Sequence, residues 1–317
     1  MKRSDMMKAI LISEFGTEDV LYEADVPIPA IAADEILIKV CSISVNHIDL
    51  VVRSGMMPGR GIYFPHLLGQ DFSGIVEDIG SKVSRFKIGD KAVGINRSGT
   101  YTEYIAIKEN AVVKVPDTVN INHAGALPVA GVTAWSAVIN NGRLEPNQKV
   151  LIHGGAGGVG HIAVQLAKNI GAYVITTASS HNKDFLHSLG ADEVIDYTTT
   201  DFSKAVNNLD LVIDTVGKYH QADGMSVLKS GGKFISIASP PDKEAAQKYG
   251  VEAEFVHGDL RPETLQRLID YYDKGIIKLQ IAETYSFGLE QLKKAHVDLA
   301  ARHTCGKRLI VTVVVVI

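Results

Sequence analysis

The amino-acid sequence predicts an α/β protein made of a β-rich domain and a domain built on a doubly wound parallel sheet. Three features lead to that reading. A β-branched run, Lys149–His153, passes without a spacer into clustered glycines. Before it, short β segments are punctuated by Gly and Pro, whereas from Asn122 onward helical and strand patterns alternate. Beyond Arg261-Pro262 the chain turns to amphipathic helix and more strand and ends in an apolar run, as though returning to complete the first part. The expected division is residues 1–123 and 264–317 for the β-rich domain and 124–263 for the doubly wound one, closely packed around a cleft.

Taken in order, the first strand is expected over Lys8–Ile12, after a short extension that starts basic but lacks the apolar stretch and small-residue cleavage site of a signal peptide. Apolar β segments follow at Ile36–Val40, Ser73–Ile79, Lys91–Ile95, Tyr101–Ile107 and Val112–Val115, separated by turn residues such as Gly69, Gly89-Asp90 and Pro116-Asp117. Ala124–Asn140 reads as helix. Lys149–His153 is then a strand, Val159–Asn169 a helix stopped by Gly171, and Tyr173–Thr177 a second strand, which together make a βαβ unit. Lys183–Leu189, Glu193–Asp196, Leu211–Asp214, Lys233–Ala238 and Ala253–His257 continue the alternation. Helical patterns at Glu263–Lys274 and Leu289–Ala301 precede the terminal run Leu309–Ile317. That run is far short of the ~20 apolar residues that cross a bilayer, and reads as a buried or dimer-edge strand.

A chain of 317 residues can bury two sizeable cores. Its net charge of −4 offers no electrostatic footprint for nucleic acid or an anionic membrane. Two cysteines, Cys41 and Cys305, cannot form a disulfide framework, so a reducing cytoplasm is the expected compartment.

Gly155-Ala156-Gly157-Gly158-Val159-Gly160 fits G-x-G-x-x-G. Each glycine stands where a Cβ would obstruct something: a tight turn, the approach of a pyrophosphate, and close helix-on-strand packing. The unpaired N–H groups that open the next helix are then available to phosphate oxygens. A lone match of this kind is weak, but the strand before it and the helix after it supply the required context.

Several further blocks point the same way: Ser44-Val45-Asn46-His47-Ile48-Asp49, Leu68-Gly69-Gln70-Asp71-Phe72-Ser73-Gly74, Gly99-Thr100-Tyr101-Thr102-Glu103-Tyr104, Leu127-Pro128-Val129-Ala130-Gly131-Val132-Thr133-Ala134-Trp135 and Leu189-Gly190-Ala191-Asp192-Glu193-Val194-Ile195-Asp196-Tyr197. With these the chain resembles the medium-chain dehydrogenase/reductase superfamily, and within it the zinc-free quinone oxidoreductase and enone (alkenal) reductase branch. The resemblance implies a GroES-like catalytic domain, a Rossmann nucleotide-binding domain, a homodimer, and hydride transfer from a nicotinamide cofactor to a small quinone or α,β-unsaturated carbonyl. The zinc-dependent branch would place cysteine at Asn46, histidine at Gln70 and cysteine at Val129, so no zinc is expected. An ad hoc cluster of His47, His66, Asp71 and Cys41 lacks metal-ligand spacing.

Cofactor choice turns on the residues after the second strand, where an NAD-preferring fold needs an acidic residue about 20 positions beyond the glycines. Ala178-Ser179-Ser180-His181-Asn182-Lys183 has none. Hydroxyls of Ser179 and Ser180 and the charge of Lys183 suit a 2′-phosphate, hence NADPH; the alternative is an ordinary polar helix start with a solvated lysine. By resemblance, Thr133 is expected near the nicotinamide and Tyr197 near the adenosine end. Thr215, Val216 and Ala238 lie at carboxyl ends of strands, where such sheets hold ligands. Asn46 is the expected donor to the developing oxyanion and Gln70 the second candidate, against a scaffolding role for both. Asp49 and Arg53 read as an ion pair on a short helix, and Tyr63, Phe64 and Phe255 as aromatic lining for a flat acceptor. Gly306-Lys307 resembles the family's C-terminal Gly-Lys. A non-catalytic NADPH-binding sensor or crystallin-like protein would carry the same binding motifs, and a zinc alcohol dehydrogenase is the remaining alternative.

Overall fold

Alternating apolar residues generate the strands β1 (Met6–Ile12), β2 (Leu21–Pro27), β3 (Glu35–Ser44), β4 (His66–Leu67), β5 (Asp71–Ile79), β6 (Lys91–Ile95), β7 (Tyr104–Lys108) and β8 (Val112–Lys114) of the computed structural model. It describes residues 5–57, 61–217, 220–301 and 305–312. β1 pairs antiparallel with β2 and β4, while β3 pairs antiparallel with β5 and β7, and β5 with β6. Nearly every residue of β3 is buried, because both of its faces are covered. β2 was not foreseen, since Leu21–Pro27 mixes charges into its alternation and takes its place from pairing along the whole of β1.

From Ala130 the strands become parallel: β9 (Lys149–Ile152), β10 (Tyr173–Ala178), β11 (Glu193–Asp196), β12 (Leu209–Asp214), β13 (Leu228–Ser236) and β14 (Glu252–Phe255). They stand in the order β11-β10-β9-β12-β13-β14, with every pairing parallel. This is the doubly wound Rossmann arrangement, whose order reverses between β9 and β12. Leu151, Ile175, Val212 and Phe234 belong to one core cluster here, and burying each contributes roughly 1.5–3 kcal/mol. The helical run expected from Ala124 is interrupted. Ile121–Ala124 is a separate short helix, Pro128 opens the next, and that helix widens over Ser136–Asn141 to a turn in which the Gly142 N–H reaches the Ala137 carbonyl at 3.1 Å.

The tail then adds β15 (Ile281–Ser286) and β16 (Lys307–Val311) to the sheet of β3, giving the order β15-β16-β3-β5-β6-β8 with β7 also on β3, while β2-β1-β4 form a separate sheet. Leu309 and Ile310 are buried there. The remainder of the expected terminal strand, 313–317, lies outside the described residues.

The two compact units are Met1–Val129, Leu260–Asp273 and Ile281–Ile317, and Ala130–Asp259 with Lys274–Gln280. Side-chain hydrogen bonds account for where they divide. The Ser42 and Ser73 hydroxyls donate to the carbonyls of Asn122 and Ile121, both at 2.6 Å, and tie the segment after Asn120 to the β-rich unit. Gln165 grips Lys278 through both its carbonyl (3.0 Å) and its N–H (2.8 Å), which holds 274–280 on the Rossmann unit. Among the described residues no helix is long and apolar enough to cross a membrane.

Candidate active site

The glycine turn sits at the carboxyl end of β9, at the point where the sheet order reverses. Its left-handed residue is Gly154 (φ 68°), one position before the motif, and not Gly155. Gly155 is needed for another reason: a Cβ there would lie 1.9 Å from the Thr176 hydroxyl of β10. At Gly160 a Cβ would stand 2.2 Å from the Gly154 carbonyl, so these two glycines let the helix Gly160–Ile170 close onto the sheet. Gly157 differs, because a Cβ there meets only the Gly154 carbonyl at 3.2 Å. The backbone at Gly157 is therefore open on that side, as the close approach of a pyrophosphate would require. Ala156 is buried, Gly158 and Val159 are partly exposed, and Val159 leads into the helix.

Across the reversal point, the Thr215 hydroxyl donates to the His153 carbonyl at 2.6 Å. Asp214 accepts the N–H groups of Val216 (3.0 Å) and Gly217 (2.9 Å), so it caps this turn. Ala238 is exposed after β13, its N–H 3.4 Å from the Ser236 hydroxyl. Thr133 is half-buried in the helix Pro128–Trp135. At the ends of β10 and β11 the structure gathers Ser179, Ser180, Lys183 and Tyr197. Ala178 pairs with Asp196, the Tyr197 N–H reaches the Ala178 carbonyl at 3.3 Å, and Lys183 begins the helix Lys183–Ser188. Lys183 and Tyr197 are exposed. Ser179 accepts from the Asn182 amide at 3.3 Å. Ser180 engages Asp196, whose carboxyl is held below its usual range by Thr198 and, to a smaller degree, by Ser180.

The β-rich unit holds a different kind of site. Asn46 stands at the end of β3 and caps the helix His47–Arg53. Its Nδ2 donates to Asp71 Oδ2 at 2.8 Å and to the Ser44 carbonyl at 3.2 Å, and its Oδ1 accepts from the Lys307 ammonium. Asp71 opens β5 completely buried; it also accepts the Ser44 hydroxyl and, at 2.7 Å, the Val129 N–H. Lys307 Nζ lies 3.7 Å from Asp71 Oδ2, and its side chain is only 4% exposed. Gln70 immediately precedes Asp71 and is half-buried.

A buried chain continues from this cluster. Asp49 accepts the Asn46 backbone N–H at 2.8 Å and the Tyr101 hydroxyl at 3.0 Å. Arg53 Nη1 approaches His296 Nδ1 at 2.8 Å, and a guanidinium can only donate. The neutral His296 ring therefore carries its proton on Nε2, which faces the Tyr101 oxygen at 3.0 Å. Asp49 and Arg53 are thus not the ion pair expected on one helix, since Arg53 turns to Glu18 (3.7 Å) and the Gly16 carbonyl (3.3 Å). Burial pushes the Asp49 carboxyl up to about 7, against the pull of its two donors. Burial, with the Arg53 charge, pushes His296 down to about 3. Burial also lowers the Lys307 ammonium, while Asp71 and Asp49 act to keep its charge.

Tyr63 is 83% exposed, Phe64 meets Phe15 edge-on at 4.9 Å, and Phe255 meets His257 edge-on at 4.9 Å. Sequence reasoning did not find Asp71, Ser44, Tyr101, His296 or Lys307 as partners. The available signal was charge inside apolar strands, at Asp71 before Phe72 and at Lys307 before Leu309-Ile310.

Two family profiles match the chain: one described as alcohol dehydrogenase GroES-like domain over residues 32–117, and one described as zinc-binding dehydrogenase over residues 189–310. The quinone oxidoreductase of Rattus norvegicus is 30% identical over 320 residues, covering 95% of this chain and 96% of that protein. The 2-methylene-furan-3-one reductase of Solanum lycopersicum is 31% identical over 320 residues, covering 96% and 79%. Among solved structures, the quinone oxidoreductase from Coxiella burnetii matches with a TM-score of 0.90 at 34% identity, over 97% of this chain and 100% of that one. The chain belongs to the medium-chain dehydrogenase/reductase superfamily, in its quinone and enone reductase branch.

Within that superfamily one profile carries zinc in its description, and the donor set here can be tested against it. Asn46 and Gln70 offer amides and Val129 offers only its backbone, which donates to Asp71. Zn²⁺ prefers thiolate and imidazole, and the oxygens of Asn46 and Asp71 already face an ammonium. These residues do not fit the ion. Among the described residues no group of three or more His, Cys, Asp or Glu side chains is placed to hold a metal. Relatives in the reductase branch with solved structures include the Escherichia coli quinone oxidoreductase complexed with NADPH (TM-score 0.88, 25% identity, 96% of this chain and 100% of that one).

Proposed function

We propose that this protein is an NADPH-dependent, zinc-independent oxidoreductase that reduces quinones or α,β-unsaturated carbonyls. Relatives of full-length similarity named as quinone and enone reductases support the reaction class. The observation that carries the zinc-independent form of it is the Asp71 cluster, where the Asn46 amide and the Lys307 ammonium stand in place of soft metal ligands. Quinones and enones need less activation than a simple carbonyl, so a reductase of this kind can work by positioning and hydrogen bonding.

When bound, NADPH supplies the hydride. The open space at Gly157 and the N-terminus of the helix Gly160–Ile170 suit its pyrophosphate. Lys183 and Ser179 suit a 2′-phosphate, and Ser180 joins them by leaving Asp196. Tyr197, Thr133, Thr215, Val216 and Ala238 are the further contacts we assign to the cofactor. Asn46 donates to the oxyanion that develops on the acceptor. Of its two amide hydrogens, the one on the Ser44 carbonyl, at 3.2 Å, is the more weakly held and the one to be redirected. Gln70 is the second donor we assign.

We also infer a homodimer in a reducing, cytoplasmic setting; Cys41 and Cys305 are both free thiols. NADPH consumption with a panel of quinones and enones tests the activity, and tight cofactor binding without turnover of any acceptor would favour a binding protein instead. Removing metal by chelation should leave activity and thermal midpoint unchanged. Stoichiometric zinc whose loss abolishes turnover would reverse the metal assignment.

A further inference from the structure

We infer that Lys307 is a positioning residue for the reduction, acting through Asn46; this rests on the reading of Asn46 as donor to the oxyanion. An asparagine amide offers two hydrogens on one side and a carbonyl oxygen on the other, and its partners decide which way it points. Lys307 has donors and no acceptor, so its ammonium can meet only Oδ1. The Asp71 carboxylate meets the other end, accepting from Nδ2 at 2.8 Å. The reversed amide would set NH₂ against an ammonium and a carbonyl against a carboxylate, both in a water-excluded place where such contacts cost most. Lys307 and Asp71 thus fix the same orientation from opposite sides.

That orientation is the one a reductase needs. With Oδ1 held by a cation, density is drawn toward the oxygen and the amide hydrogens become stronger donors. Asp71 takes one of them, and the longer contact to the Ser44 carbonyl leaves the other to be redirected. The stability of the strand does not explain the lysine. Lys307 is buried at the start of β16, followed by Arg308 and then the apolar Leu309-Ile310, and a buried ion pair is on average no more stabilising than an apolar pair of the same volume. What an apolar side chain could not do at this place is hold Asn46 by its oxygen.

The test measures kcat on a slow quinone whose chemical step limits turnover, acceptor KM and NADPH Kd in Lys307→Met, Lys307→Arg, Asn46→Ala and the double variant Lys307→Met/Asn46→Ala. Lys307→Met should lower kcat by about tenfold to a hundredfold with KM and Kd within about twofold of wild type, and Lys307→Arg, which keeps a cation, should recover part of it. In the Asn46→Ala background, Lys307→Met should change kcat by no more than about twofold, because the two act as one unit. If Asn46→Ala slows the reaction and Lys307→Met does not, the proposal fails and the reading of Asn46 stands. If Asn46→Ala is harmless, that reading fails and takes the proposal with it. Multiplicative losses would show that Lys307 acts other than through Asn46, and overturn it. Should Lys307→Met fold poorly, Lys307→Met/Asp71→Asn removes the uncompensated carboxylate, and full kcat in that variant would equally overturn the proposal.

Discussion

In the Rossmann unit the candidate phosphate cradle is one continuous stretch, Gly154–Gly160, working through backbone atoms and the absence of side chains. The cluster around Asp71 in the β-rich unit is the opposite: Ser44, Asn46, Asp49, Asp71, Tyr101 and Lys307 come from four separated stretches and work through side chains that satisfy one another. The first should be intolerant of added volume and indifferent to most losses. The second should be intolerant of a lost partner, because each group removed strands another in a place without water.

The sharpest break in that comparison is Gly157→Val. It should abolish NADPH binding in a protein that still folds, since only the Gly154 carbonyl lies near the new Cβ. Fluorescence titration of NADPH alongside a circular dichroism melt checks both halves, and normal affinity would move the cofactor elsewhere.

Next comes the side-chain site. Asn46→Ala should lower kcat for quinone or enone reduction by ~10–10³-fold with little change in NADPH affinity, because the lost bond strengthens mainly as charge develops. Asn46→Asp should be at least as harmful, for it sets a second carboxylate against Asp71. Full kcat in both, measured where chemistry limits turnover, would reduce Asn46 to scaffold.

A smaller effect is expected at the rim of the cradle. Lys183 is exposed, so Lys183→Ala should weaken NADPH by roughly five- to a hundredfold and leave NADH nearly unchanged. Equal loss of both cofactors, or a wild-type preference for NADH, would remove the 2′-phosphate assignment.

The mildest probe is pH. Asp49 has a folded-state carboxyl raised to about 7 from the ordinary 3.8, so between those values the folded protein holds a proton that the unfolded chain has released. Its contribution to stability is present at low pH and is lost as pH rises through about 7. His296, pushed down to about 3, works in the other direction, since its unfolded form gains a proton as pH falls. Asp49→Asn should therefore remove the downward part of the stability profile across that window and leave the His296 part. Urea melts at several pH values would detect this, and parallel profiles for variant and wild type would show that Asp49 does not titrate in the fold.

The parallel sheet and the return of the tail were legible in the sequence, as was the glycine motif of the candidate cradle. Each is local or periodic: glycines at fixed offsets, β-branched runs alternating with helices, and an apolar end that must be buried. It also marked Asn46 and Gln70 through short motifs. It did not show Gly154 as the left-handed turn residue, because Gly154 stands outside the six-residue motif. Nor did it show that Arg53 leaves Asp49 for His296 and Glu18, although the spacing within one helix favoured a pair. The partners of Asn46 are set by the pairing of distant strands and not by the sequence around it. Lys307 lies 261 positions away along the chain, and no spacing rule links the two. They meet because β16 pairs with the end of β3, Leu309 opposite Ser44, and because a buried amide, carboxylate and ammonium must find one another wherever the sheet brings them together.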